Sequence, residues 1–205
     1  MLIVVSGLPG TGKSAVASEL AAQLGAVHLS IDPIEDALLG AGLPRSWETG
    51  VAAYEATRAV AEQNLVLGRT VVVDAVNDSE PARDTWRAGS AQAGVRLAFV
   101  LLTLDDQTEH RRRLEGRVRE LAHVREPSWK DVRARAAAYA PWVDGTCLHV
   151  SAEGPVAQSV VDVMEWLDRF RTCHPPESHG ANHHGSPTVS LVPLPDAVKL
   201  KPFEK

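Results

Sequence analysis

Residues 7 to 14 read Gly7-Leu8-Pro9-Gly10-Thr11-Gly12-Lys13-Ser14, the spacing G-x-x-x-x-G-K-[ST]. The chemistry this spacing offers is a grip on a polyphosphate. Its glycines let backbone N–H groups close on phosphate oxygens, its lysine reaches the β- and γ-phosphates, and its serine hydroxyl can hold Mg2+. Such a loop works only between a buried strand and a helix N-terminus. The apolar run Leu2-Ile3-Val4-Val5 supplies the strand, and Ala15 to Leu24, with Val16, Leu20 and Leu24 four residues apart and Gly25 as its stop, supplies the helix. All eight loop residues are therefore expected to bind nucleotide.

A phosphate loop is shared by kinases, GTPases, ATP-driven machines and transporters, so the acids must discriminate. Val27-His28-Leu29-Ser30-Ile31 reads as a second strand that delivers Asp32 at its carboxyl end, where an open parallel sheet opens onto its ligand crevice. A carboxylate there can take the proton of an attacking hydroxyl or align it. It can equally act as the N-cap of a short helix from Pro33 to Leu39, with Pro33 at the first helical position. Asp74 ends the β-branched run Thr70-Val71-Val72-Val73 and is expected to join Ser14 in holding Mg2+. Asn77 is either a site residue or part of the Asn77-Asp78-Ser79 turn before Pro81; turn and capping chemistry suits Asp78 and Ser79 better. Glu35 and Asp36 read as solvated surface.

The strongest positive cluster is Arg111-Arg112-Arg113 with Arg117 and Arg119, on a helix expected from Asp106 to about Leu121. At that spacing Arg113 and Arg117 share a face and could close over a phosphoryl group in flight as a lid spanning about 106–127. The competing reading is a solvated face paired with Glu109, Glu115 and Glu120. Arg113 and Arg117 are counted with Asp32 and Lys13 as the catalytic candidates. Arg113 and Thr146, ahead of the last strand, join the nucleotide-binding set. His28 and His149 read as core or edge histidines. Five tryptophans (47, 86, 129, 142 and 166) fall on expected helices as packing groups, although Trp47 or Tyr54 could line an acceptor pocket shaped by residues 40–62.

The elements that must position these groups alternate. A long helix from about Trp47 to Leu67, another from Pro81 to Ala93, a strand over Arg96–Thr103, a helix capped by Ser128, a strand over Cys147–Val150 and an amphipathic helix over Val156–Phe170 complete the series. Strands alternating with helices specify a doubly wound α/β domain, a mostly parallel five-stranded sheet covered on both faces, over residues 1–172. From residue 173 the chain holds six prolines and four of its eight histidines, which reads as an irregular tail with a possible short strand at 189–192. Its histidines lack ligand spacing for a metal.

Of 205 residues, 44% are hydrophobic and 23% charged, the balance of an ordinary globular domain. A net charge of −5 disfavours a broad nucleic-acid surface, and two cysteines imply no disulfide framework and a reducing, cytoplasmic setting. The apolar start lacks a basic leader, and no apolar stretch approaches the ~20 residues that span a bilayer.

The motifs SGLPGTGKS (6–14), LSIDPIEDAL (29–38), VVVDAVN (71–77) and HRRRLEGR (110–117) together resemble the small P-loop kinases of the chloramphenicol phosphotransferase, zeta-toxin and polynucleotide-kinase type. The resemblance implies a P-loop NTPase fold, ATP (GTP being compatible) with Mg2+, in-line transfer of the γ-phosphoryl group and closure of an arginine lid. An aspartate after strand two is similar to the acceptor base of the antibiotic phosphotransferase, whereas Asp-x-x-Asn at 74–77 is more like the polynucleotide-kinase branch. The acceptor motifs of zeta-type toxins have no counterpart here. The expectation is phosphorylation of a small-molecule hydroxyl on an antibiotic, nucleoside or sugar. The rivals are a nucleic-acid 5′-hydroxyl kinase and a nucleotide-gated switch acting on a partner protein.

Overall fold

In the computed structural model the described residues are 1–118, 120–142 and 147–173. They form β1 (Leu2–Ser6), α1 (Lys13–Leu24), β2 (Val27–Ser30), α2 (Ile31–Gly40), α3 (Trp47–Val66), β3 (Val71–Ala75), α4 (Glu80–Gln92), β4 (Leu97–Thr103), α5 (Gln107–Gly116), α6 (Trp129–Ala138), β5 (Cys147–Ser151) and α7 (Val156–Cys173). The expected tail strand at 189–192 and Thr146 lie outside the described residues.

Strands with apolar side chains on both faces need cover on both, which is why β1, β3 and β4 read as unbroken hydrophobic runs. Ile3, Val5, Val72, Val100 and Leu102 turn to one face, where α1 and α7 cover them with Val16, Leu20, Val160, Val163 and Leu167. Leu2, Val4, Val71, Val73 and Phe99 turn to the other and meet Ala53, Ala61 and Leu65 of α3 and Trp86 of α4. The sheet is wholly parallel, in the order β2-β3-β1-β4-β5. From β1 the chain crosses outward to β2, returns to β3 beside β1, then passes to β4 on the other side. The resulting switch point at the carboxyl end of β1 is where this class of sheet opens its ligand crevice, and residues 7–14 sit there.

Two local expectations change. Helix α2 begins two residues earlier than the proline suggested: Ser30 is its N-cap residue and Asp32 lies inside the first turn, so Asp32 is not the cap and Pro33 is not the first helical residue. Asp32 lines the crevice from that first turn. Helix α5 stops at Gly116, and Arg117 leaves it with an extended backbone (φ −76°, ψ 139°). Arg113 and Arg117 therefore do not share a helical face. Ser128 does cap α6, in a reciprocal box with Asp131. No described helix is long and apolar enough to cross a membrane.

Candidate active site

The phosphate loop is shaped by what lies beneath it. Gly7 has φ 149°, and a Cβ there would fall 2.7 Å from the Leu102 carbonyl oxygen and 2.9 Å from Thr11 Oγ1. Gly10 (φ 91°) rides on α5, where a Cβ would come within 3.1 Å of both the His110 ring and Leu114. The buried His110 Nε2 lies 2.8 Å from the Pro9 carbonyl oxygen, and Thr11 Oγ1 donates to the Leu8 carbonyl at 2.9 Å. Helix α1 starts directly from Gly12, so its unpaired N–H groups and dipole face the loop's hollow. Lys13, only 5% exposed, reaches into that hollow.

Asp74 sits at the end of β3, 1% exposed and beside the loop because β1 and β3 are paired in register, Val5 opposite Asp74. Ser14 Oγ donates to Asp74 Oδ1 at 3.2 Å and Ser30 Oγ to the same oxygen at 3.1 Å, while His28 Nε2 lies 3.1 Å from Oδ2. His28 is thus no anonymous edge histidine. It and Ser30 hold the carboxylate that the Walker-type serine meets, a role legible only once β2 is known to lie beside β3. Ser14 and Asp74 offer a hydroxyl and a carboxylate, the hard oxygen donors Mg2+ takes. No group of three or more acidic, histidine or cysteine side chains suited to a metal occurs among the described residues.

Two cavities open side by side above this floor. One, of about 320 Å3, is lined by Lys13, Asp32, Glu35, Arg45, Arg117, Arg125 and Arg135 with Glu126 and Asp131. The other, of about 520 Å3, is walled by α2, α3 and the β3–α4 turn and includes Asp32, Glu35, Trp47, Tyr54, Glu55, Asp78 and Arg135. Asp32, Glu35, Val76 and Arg135 belong to both. Trp47 and Tyr54 do line the second cavity, within the segment expected to shape it.

The arginines divide. Arg117 lines the first cavity and its Nε donates to Glu126 at 2.7 Å. Arg113 does not come there: its Nη1 donates to the Ala152 carbonyl at 2.7 Å and its Nε to Glu109 at 2.6 Å, tying α5 to the β5–α7 turn. Together Arg112 and Arg113 hold the half-buried Glu109 carboxyl down to about 2. Arg45, Arg125 and Arg135 were not among the sequence candidates. They are dispersed along the chain, and only the fold gathers them.

Asn77 is buried outside both cavities, and is the one non-glycine residue among those described with a left-handed backbone (φ 54°). Its Nδ2 donates to Ser6 Oγ at 2.9 Å, its Oδ1 accepts from Trp86 Nε1 at 2.8 Å, and its N–H donates to Tyr54 Oη at 3.3 Å. It braces the site rather than entering it. Arg83, fully buried, donates to the carbonyls of Asn77 (3.1 Å) and Pro141 (2.9 Å) and lies 3.9 Å from the ring centre of Trp142, which stands after α6 rather than on a helix. Burial raises the Tyr54 phenol well above its ordinary value, so it stays a neutral hydroxyl.

Asp36, expected to be solvated, instead accepts the backbone N–H groups of His123 (2.7 Å), Val124 (2.8 Å) and Ala122 (3.4 Å). These bonds, Val124's and then His123's foremost, hold its carboxyl below the usual range. The irregular stretch 120–127, which brings Arg125 and Glu126 to the cavity, is thereby fastened to the same helix that carries Asp32.

The fold is shared with proteins of low sequence identity. A sugar kinase from Janibacter sp. HTCC2649 superposes with a TM-score of 0.64 at 19% identity, over 82% of this chain and 94% of that one. A gluconokinase from Sinorhizobium meliloti 1021 gives 0.62 at 20%, over 83% and 93%. The Mycobacterium tuberculosis APS kinase, in complex with AMPPNP and APS, gives 0.59 at 20%, over 82% and 96%. No curated protein matches the sequence significantly. Residues 2–139, more than half of the chain, match the family described as AAA domain, and with its phosphate loop at the switch point of a parallel five-stranded sheet the chain belongs to that family.

Proposed function

We propose that this chain is an ATP-dependent phosphotransferase acting on a hydroxyl of a small molecule. The observation that carries the reading is the placement of Asp32, which lines both the cavity of Lys13 and the cavity beside it. A carboxylate at that junction faces a phosphate chain on one side and an acceptor on the other. The nucleotide's phosphates lie along residues 7–14, with Lys13 on the β- and γ-oxygens and Arg117, Arg125 and Arg135 around the outer phosphate. Mg2+, held by Ser14 and by Asp74, would supply neutralisation of charge on those oxygens. Asp32 accepts the proton of the acceptor hydroxyl, whose oxygen bonds to the γ-phosphorus as the bond to the bridging oxygen breaks and ADP leaves. Such transfer depends chiefly on positioning and charge, which is what this set of side chains offers.

Structures of like fold described as a sugar kinase, a gluconokinase and an APS kinase support a small acceptor. So does the second cavity: about 520 Å3 suits a small molecule, and its carboxylates oppose a nucleic-acid backbone. Residues 1–172 form the catalytic unit in this reading and the cytoplasm its setting.

The test is transfer of label from γ-labelled ATP with Mg2+ to a library of hydroxylated small molecules, read by mass spectrometry. Phosphorylated product supports the reading. Label on the 5′ end of an oligonucleotide in preference to any small molecule replaces it with the nucleic-acid kinase, and tightly retained nucleotide with no transfer replaces it with the switch.

A further inference from the structure

On β2, the edge strand of the sheet, side chains alternate between its two faces. Val27 and Leu29 pack with the core on the side of α3 and α4. His28 and Ser30 turn to the other side, where α1 begins with Ser14 in its first turn. Ser30 stands opposite Asp74 and His28 opposite Val72, so both reach the same carboxylate from one face. Val72 belongs to the apolar core on that side. Packing alone would place an apolar residue beside it at position 28. The chain instead places an imidazole there, its side chain 29% exposed, against a carboxylate that is 1% exposed.

The two oxygens of Asp74 are held differently. Oδ1 takes the hydroxyls of Ser14 (3.2 Å) and Ser30 (3.1 Å), while the side-chain partner of Oδ2 among the described residues is His28 Nε2 at 3.1 Å. A carboxylate oxygen accepts, so Nε2 carries the hydrogen. A rigid ring on a strand thereby stops the carboxylate from turning, and Oδ1 stays where the Ser14 hydroxyl donates to it. A hydroxyl that gives its hydrogen to Asp74 keeps its lone pairs for a cation. We infer that His28 is a positioning residue for the metal–nucleotide complex, acting through Nε2 on Asp74 and touching neither metal nor phosphate; it lines neither of the two cavities. The inference rests on the nucleotide-binding part of the proposed function and adds to it the group that orients the Ser14 and Asp74 pair. The same strand runs on to Asp32 two residues after Ser30, so the clamp also fixes the metal carboxylate to the segment that carries the proton acceptor.

The experiment measures ATP binding to the full chain by calorimetry, with Mg2+ and with the metal chelated, and follows Mn2+ bound in the ATP complex by electron paramagnetic resonance. Neither readout requires an acceptor. Three substitutions separate the hydrogen bond of the ring from its bulk. His28→Phe keeps a ring and removes the N–H, His28→Gln can set its amide nitrogen where Nε2 stands, and the shorter His28→Asn cannot. The expected result is that His28→Phe and His28→Asn weaken binding of Mg·ATP by about tenfold and alter the Mn2+ spectrum, while affinity for metal-free ATP stays within about twofold. His28→Gln should stay within about threefold of the unsubstituted chain for Mg·ATP. Should His28→Phe fail to fold, the comparison of glutamine with asparagine decides alone, since both are polar amides at the same half-exposed position. Unchanged Mg·ATP affinity in His28→Asn would overturn the inference. So would losses of equal size with and without metal, which mark a merely structural role, and a glutamine variant as weak as the asparagine one. An unsubstituted chain that binds ATP no better with Mg2+ than without it would overturn the inference and leave nucleotide binding standing, whereas one that binds no ATP would remove the phosphotransferase reading itself.

Discussion

The cavity of Lys13 and the larger cavity beside it are neighbours built on opposite plans. The floor of the first is one run of eight residues whose conformation is set by its own glycines and the helix that follows. The second has no such run. Its wall comes from α2, α3, the β3–α4 turn and α6, and is held by contacts such as Asn77 to Tyr54 and Trp86. The contrast teaches that the chemistry of phosphate binding can be carried locally, because backbone N–H groups and a helix terminus are the ligands. Recognition of an acceptor depends on side chains that only packing brings together.

If that division is right, variants on the two sides should fail differently. Lys13→Ala should be the most damaging, lowering kcat/KM by about 10³-fold and weakening ATP binding measurably in calorimetry, with any acceptor. Asp32→Asn, at the shared wall, should lower kcat by about 10²- to 10³-fold while ATP affinity changes little. A large loss of ATP affinity in that variant would place Asp32 on the phosphate side and break the comparison. Arg117→Met should cost about tenfold to a hundredfold in kcat. Arg113→Met should act chiefly on thermal stability, by loosening the tie to Ala152; equal kcat losses for the two would show that Arg113 swings into the cavity.

Asp36→Ala is expected to have the smallest effect, about threefold to tenfold in kcat/KM, together with faster tryptic cutting at Arg117 and Arg125 as residues 120–127 are released. The same contact predicts a pH dependence. The Asp36 carboxyl is held below its ordinary value near 3.8 in the folded chain, so its contribution is complete above that pH. It disappears as pH falls through the lowered value, and tryptic-like release on acidification should be absent in the alanine variant; at neutral pH no change with pH is expected from this group. An acid-stable protease serves for that measurement.

The order of strands and helices was legible because apolar runs of four to seven residues alternate with helical spacing, and glycines such as Gly25, Gly68 and Gly94 stop the helices. The extent of α5 was not. Its charged pattern continues past Gly116, but a helix propagates only while its side chains support it, and Arg117 finds Glu126 across the loop instead. Asp32 was legible as an acid close after β2, but neither its place inside the first turn of α2 nor its membership of two cavities was. His28, Ser30 and Asp36 were misread or passed over for one reason: their partners lie 46, 44 and about 87 residues away in sequence.

By itself the sequence determined the phosphate loop, the class of sheet, the acid at the end of β3 and an acid just past β2. Each of these is written in neighbouring residues: in glycines that admit unusual backbone angles, in the period of apolar side chains, and in a carboxylate placed where a strand stops. Tertiary structure alone decided which arginine enters the crevice, which helix fastens residues 120–127, and that positive and negative side chains separate across Asp32. Those outcomes turn on distances between segments remote in the chain, fixed by the parallel register of five strands and by the packing of helices on their two faces.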